Sequence, residues 1–216
     1  MRTDEFIADL SRAPPRQTFS GRAVAIVSGA AVLSLVAALA LSFFWLTPRN
    51  DLAFPLLTAN HIFLLKIFFT VGVAVSILPI VLDLCIPGRR IQSALLLAVV
   101  PFLVIGLLAT HEIAMRPVGI SGGHLDRTWL DCLWQIPSLA APAFLILTLT
   151  VRHFAPTNLE RTGVFIGLLA GGIGAIGYAL HCHHDSLAFV GIAYTAAIAE
   201  MAILGGFIGP RLLRWR

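Results

Sequence analysis

Residues 23–46 read AVAIVSGAAVLSLVAALALSFFWL, without a single charged side chain. At about 1.5 Å of rise per residue, a helix of this length covers the roughly 30 Å hydrocarbon thickness of a bilayer. Stretches of the same kind recur at Ile62–Cys85, Ile91–Thr110, Leu133–Val151, Thr162–Leu180 and Leu187–Ile208. The second carries Lys66 and Asp83 near its ends, and the fourth carries Pro137 and Pro142. The expected fold is all-α: an integral membrane bundle of six transmembrane helices, with a polar N-terminal segment at 1–21 and the six-helix domain at 22–216.

Composition agrees. Of 216 residues, 58% are hydrophobic and 12% charged, against about 25% charged in an ordinary soluble domain. Mean hydropathy is +0.89 and the pI about 9.5. No room remains for a separate soluble catalytic domain, and no phosphate loop, Cys-x-x-Cys or Ser-His-Asp arrangement is visible, so an enzyme is not expected. Asp4, Glu5 and Asp9 precede the first apolar run, where a cleavable signal peptide would be basic.

The arginines set the orientation. Arg2, Arg12, Arg16 and Arg22 precede the first stretch, and Arg89 and Arg90 follow the second. Arg152 and Arg161 flank the loop between the fourth and fifth, and Arg211, Arg214 and Arg216 close the chain. The opposite side receives Arg49, Arg116 and Arg127. The positive-inside rule therefore puts both termini in the cytoplasm. In such a chain the net charge of +4 reports orientation, and no direct nucleic-acid contact is expected.

The N-terminal segment has its own pattern. Thr3 is placed to cap a short helix, and acids in the first turn suit its dipole. Phe6, Ile7 and Leu10 form one apolar stripe opposite Asp4 and Asp9, and Pro14 and Pro15 end the pattern. So short a helix is marginal alone in water. A membrane surface or a cytoplasmic protein is the expected support.

Sulfur and imidazole gather on the outer side. Cys132 starts the fourth stretch and Cys182 ends the fifth, within His181-Cys182-His183-His184-Asp185. The two arms of this hairpin have nearly equal reach, which brings both sulfurs to one height. His61, His111 and His124 fall on the same side, whereas Cys85 and His153 are cytoplasmic. Thiolate and imidazole suit soft or borderline metals, although structural zinc sites usually draw four ligands from separate segments. Three readings stay open for this edge: a disulfide or redox pair, a metal site using Cys132, Cys182, His181, His183 and His184, and a polar boundary loop.

Two further features lie within the apolar stretches. Gly163, Gly167 and Gly171 repeat every four residues, joined by Gly172, Gly174 and Gly177, with Gly205 and Gly209 in the last stretch. Such a face permits close helix approach. Glu200 lies near the middle of the sixth stretch, where an ionised group is costly, and Lys66 lies about one turn inside the second, within snorkelling reach of the boundary. These groups and the outer histidines support an alternative reading as a small transporter or metal-handling membrane protein.

The acidic, apolar start, Trp129-x-x-Cys132, the run from Tyr178 through His181-Cys182 to Asp185-Ser186, and the closing Arg211-Leu-Leu-Arg214-Trp215 together resemble the NrsF family. These are membrane negative regulators of a sigma factor of the extracytoplasmic-function class. The resemblance spans essentially the whole chain. It implies a six-span protein of the bacterial inner membrane that holds its sigma factor inactive. It further implies an outer cysteine pair, matched here by Cys132 and Cys182, that answers heavy metals such as chromate or cadmium. The family's loop commonly reads Cys-Pro where this chain has Cys182-His183. On this reading Asp4, Glu5, Phe6, Ile7, Asp9 and Leu10 bind the sigma factor, the lipid bilayer is the other partner, no resident cofactor is implied, and a heavy-metal ion enters only as a signal.

Overall fold

The computed structural model describes residues 17–46, 61–86, 92–115, 128–184 and 186–214. The described residues are helical apart from short connections. The helices are α1 (Gln17–Trp45), α2 (His61–Leu84), α3 (Gln92–Met115), α4 (Thr128–Arg152), α5 (Leu159–Ala179) and α6 (Leu187–Leu213). All six are long and apolar enough to cross a membrane. α1 begins and α6 ends at one end of the bundle, here called proximal. The connector between α5 and α6 lies at the other, distal end.

Helix bounds differ from the sequence reading at several ends. α1 starts at Gln17, inside the segment assigned to 1–21, so Arg22 is already helical. α3 runs through His111–Met115 and α4 begins at Thr128, which shortens the interval 111–132 left between the third and fourth apolar stretches. α6 continues past Ile208 to Leu213. Hydropathy marks where a helix is greasy, whereas the backbone hydrogen-bond ladder runs on through amphipathic ends. Pro79, Pro101, Pro137, Pro142 and Pro210 all lie inside helices.

α5 is the central helix. It packs against α6, α4, α2 and α1, and most of its length is buried, unlike α1 and α3. Its glycines are the reason. A Cβ at Gly163 would strike the backbone of Gly205, and one at Gly167 the backbone of Met201. One at Gly171 would come within 3.2 Å of Ile198 Cα, and one at Gly174 within 2.7 Å of the Ile136 carbonyl on α4. Gly172 meets Val73 and Ala74 of α2, and Gly177 meets Ala38 of α1. Omitting Cβ thus lets four helices touch one, with dispersion contacts made backbone to backbone. Ser42 of α1 adds a 2.8 Å hydrogen bond to the Gly177 carbonyl.

α6 is not uniform. It opens with one α-turn at Leu187–Phe189, widens into a π-turn over Val190–Tyr194, and resumes as an α-helix at Thr195–Leu213. Ser186 caps its start by accepting from the Phe189 N–H. Glu112 of α3 accepts from the Ala188 N–H at 2.8 Å and from the Ser186 hydroxyl at 3.3 Å. Three donors at a helix start are thereby satisfied by two side chains. π-turns are rare and frequently mark functional positions; this one delivers Tyr194 to the distal end of the core.

A dithiol site at the distal end

Cys132 lies near the distal start of α4, and Cys182 lies in the connector just past α5. Both are buried. The connector leaves the helix with the His181 and Cys182 N–H groups both donating to the Tyr178 carbonyl at 3.0 Å. That fold-back turns the Cys182 side chain towards α4. The two thiols form a hydrogen-bonded pair, and both are free rather than joined in a disulfide. Cys132 Sγ is also hydrogen-bonded to Tyr178 Oη at 3.4 Å.

Aromatic rings wall the pair. Tyr178 and Tyr194 are 5.7 Å apart between centroids, and Tyr194 is fully buried and faces Cys182. Phe189 packs 6.5 Å from Tyr194. Opposite them, Lys66 of α2 is fully buried. It does not snorkel to the boundary. Its Nζ donates to the carbonyls of Cys182 at 3.1 Å and His184 at 2.8 Å, and lies 6.0 Å from the centre of the Tyr194 ring.

Cys182 lies between the helical segments, and its thiol is held well below its ordinary range, at about 5. The largest cause is the hydrogen bond with Cys132. Burial opposes it, and the Lys66 charge, the His184 backbone N–H and Tyr194 add to the lowering. A depressed thiol is a readier nucleophile and metal ligand than a neutral one.

The described histidines divide as the sequence implies, with His61, His111, His181, His183 and His184 distal and His153 proximal. They do not close around the sulfurs. The His181 ring sits 5.9 Å from that of Tyr178 and 6.2 Å from that of His183, which is exposed. His184 stacks on Phe189 at 5.0 Å. Among the described residues no group of three or more His, Cys, Asp or Glu side chains could hold a metal ion. The structure therefore gathers the two sulfurs out of the wider ligand set. Cys85 is buried near the proximal end of α2, and burial pushes its thiol up to about 12. Glu200 is half-buried on α6. Asp4, Glu5, Phe6, Ile7, Asp9 and Leu10 lie outside the described residues.

Sequence reasoning assigned no role to Tyr178 or Tyr194. Tyr178 was within reach of it, since it stands four residues before Cys182 in the last turn of α5. Tyr194 was not, because a π-turn shifts the register by a residue with no local signature.

Comparison with known proteins places this chain in a family. The family model described as "Negative regulator of sigma F" matches residues 8–215, so Cys132, Tyr178, Cys182 and Lys66 are inside it. The probable anti-sigma-F factor NrsF of Azospira oryzae is 33% identical over 170 residues, covering 77% of this chain and 78% of that protein. The anti-sigma-F factor NrsF of Caulobacter vibrioides is 29% identical over 225 residues, covering both chains fully. No solved structure matches. The match extends over nearly the whole six-helix bundle, and the chain belongs to the NrsF family of negative regulators of sigma F.

Proposed function

We propose that this protein is an anti-sigma factor of the bacterial inner membrane, with both termini cytoplasmic, that holds an extracytoplasmic-function sigma factor inactive. Family membership supports the regulatory role. The apolar perimeter supports membrane insertion: Phe44, Phe68, Leu96, Leu107 and Phe207 are among the exposed large side chains. The arginine bias supports the orientation.

The sigma factor is held by residues 1–21, with Phe6, Ile7 and Leu10 as the apolar anchor and Asp4, Glu5 and Asp9 against a basic surface. Asp9 and Leu10 fall inside the family match and the other four precede it.

The signal is a change at Cys132 and Cys182. A soft divalent ion taken by both sulfurs binds the Cys182 thiolate and displaces the proton of the Cys132 thiol. A two-electron oxidant instead takes two electrons from the thiolate and thiol, the one remaining proton is released, and a disulfide is left. Either event replaces the thiol–thiol hydrogen bond with a shorter or longer link between α4 and the connector. Because α5 is locked to α6 by its glycines, the pair moves together and carries the change to the proximal end. Reversing a 1:99 equilibrium takes about 5.5 kcal/mol of differential affinity, within reach of metal–thiolate bonding.

The observation that carries this reading is the pairing of the two buried thiols. The test for the docking segment is a detergent pull-down of the sigma factor with full-length protein and with residues 1–21 deleted. Retention is expected only with the segment; equal retention by both overturns the docking assignment.

A further inference from the structure

Among the described residues, Lys66 is the charged side chain that is fully buried. Placing an ammonium group in an apolar bundle is costly unless it is closely partnered. Its partners are informative. The Cys182 and His184 carbonyls belong to the connector, where the chain has left α5 and has not yet entered α6. Carbonyls at such a point lack helical partners. Glycine in a left-handed turn or an asparagine amide would satisfy them at lower cost. Here a lysine from a third helix does so.

The two bonds straddle the connector, one at Cys182 itself and one two residues on. Together they fix the backbone that carries the Cys182 sulfur. The opposing sulfur needs no such help, because Cys132 sits on a continuous helix and is held by Tyr178. The spacing of the thiols is therefore set on one side by α4 and on the other by Lys66. The Tyr194 ring lies 6.0 Å from Nζ.

We propose that Lys66 is the positioning residue of the dithiol site: its bonds to the Cys182 and His184 carbonyls hold the Cys182 sulfur against that of Cys132, so that the two react as a pair. Its biological weight rests on the reading of these cysteines as the signal site; its chemistry does not.

The test uses full-length protein in detergent, with Cys85→Ser to remove the third thiol. The probe is phenylarsine oxide, which bridges neighbouring thiols by forming two arsenic–sulfur bonds and releasing one water. Bridging is followed by intact mass. Single-thiol alkylation of Cys182 is followed separately with Cys132→Ser added. Misplacing a reacting pair by about 1 Å costs on the order of 100-fold in rate. Lys66→Met is expected to slow bridging by at least about tenfold, a clearly larger factor than its slowing of single-thiol alkylation, which reads only the loss of the Lys66 charge beside Cys182. Bridging at the parent rate overturns the proposal. So does bridging that changes in step with single-thiol alkylation, which would mean general loosening. If Lys66→Met does not fold, Lys66→Gln, which keeps an N–H donor on a shorter arm, is read by the same criteria. A parent protein that does not bridge overturns the pairing itself. If bridging depends on Lys66 while induction in cells ignores both cysteines, the positioning role stands and the sensor reading fails.

Discussion

Cys132 on α4 and Tyr178 on α5 are joined at 3.4 Å, sulfur to phenol oxygen, in the buried distal end of the bundle. The bond levels two helices at the depth where the chain turns back to present Cys182. Tyr178 also supplies the carbonyl that receives the His181 and Cys182 N–H groups. One residue thus anchors Cys132 by its side chain and the start of the connector by its backbone.

Tyr178→Phe removes the side-chain bond and leaves the backbone role. A net loss of about 1 kcal/mol is expected, a fall of roughly 2–4 °C in Tm for a chain of this size. Thermal unfolding in detergent measures it. The same variant should change the alkylation rate of Cys132; an unchanged rate would detach Tyr178 from the site.

The glycines of α5 give a contrast in sign. Gly167→Ala drives a Cβ into the Met201 backbone and is expected to cost about 1–3 kcal/mol, as overpacking does. Gly29→Ala on α1 meets nothing within 4 Å and is expected to stabilise by about 0.5–1 kcal/mol through helix propensity. Chemical denaturation of both variants checks it. Equal effects would mean that the α5–α6 contact is not what the glycines serve.

The Cys182 thiol is depressed from 9.0 to about 5, chiefly by its bond with Cys132. The folded protein then holds a thiolate at neutral pH that the unfolded chain would not. The stabilisation is complete above about 9, declines as pH falls, and is gone below about 5. In a Cys85→Ser background, ultraviolet thiolate absorbance should therefore titrate with a midpoint near 5. Cys132→Ala removes the largest cause, and its midpoint should move up. No movement would mean that the two sulfurs do not share a proton.

The six helices were legible because apolar runs report burial in any apolar medium, lipid or core. Their ends were less so: His111–Met115 and Thr128–Cys132 are polar enough to read as loop yet are helical. The common height of Cys132 and Cys182 followed from equal arm lengths on a hairpin, while their pairing was one of three open readings. Lys66 was visible as an anomaly, but not its partners. Its bond to Cys182 spans 116 positions, and nothing local fixes how α2 is rotated against the connector. The histidines are denser in sequence than in space: His184 stacks on Phe189 and His183 is exposed. Glycine spacing marked a close contact without naming α6 as the partner.

Cadmium induction of a sigma-dependent reporter measures the role of the two paired thiols most directly. In cells carrying Cys132→Ser with Cys182→Ser at normal protein level, induction is predicted to be lost, leaving the reporter fixed at one level with or without metal. Induction equal to that of the unaltered protein would exclude Cys132 and Cys182 as the sensor.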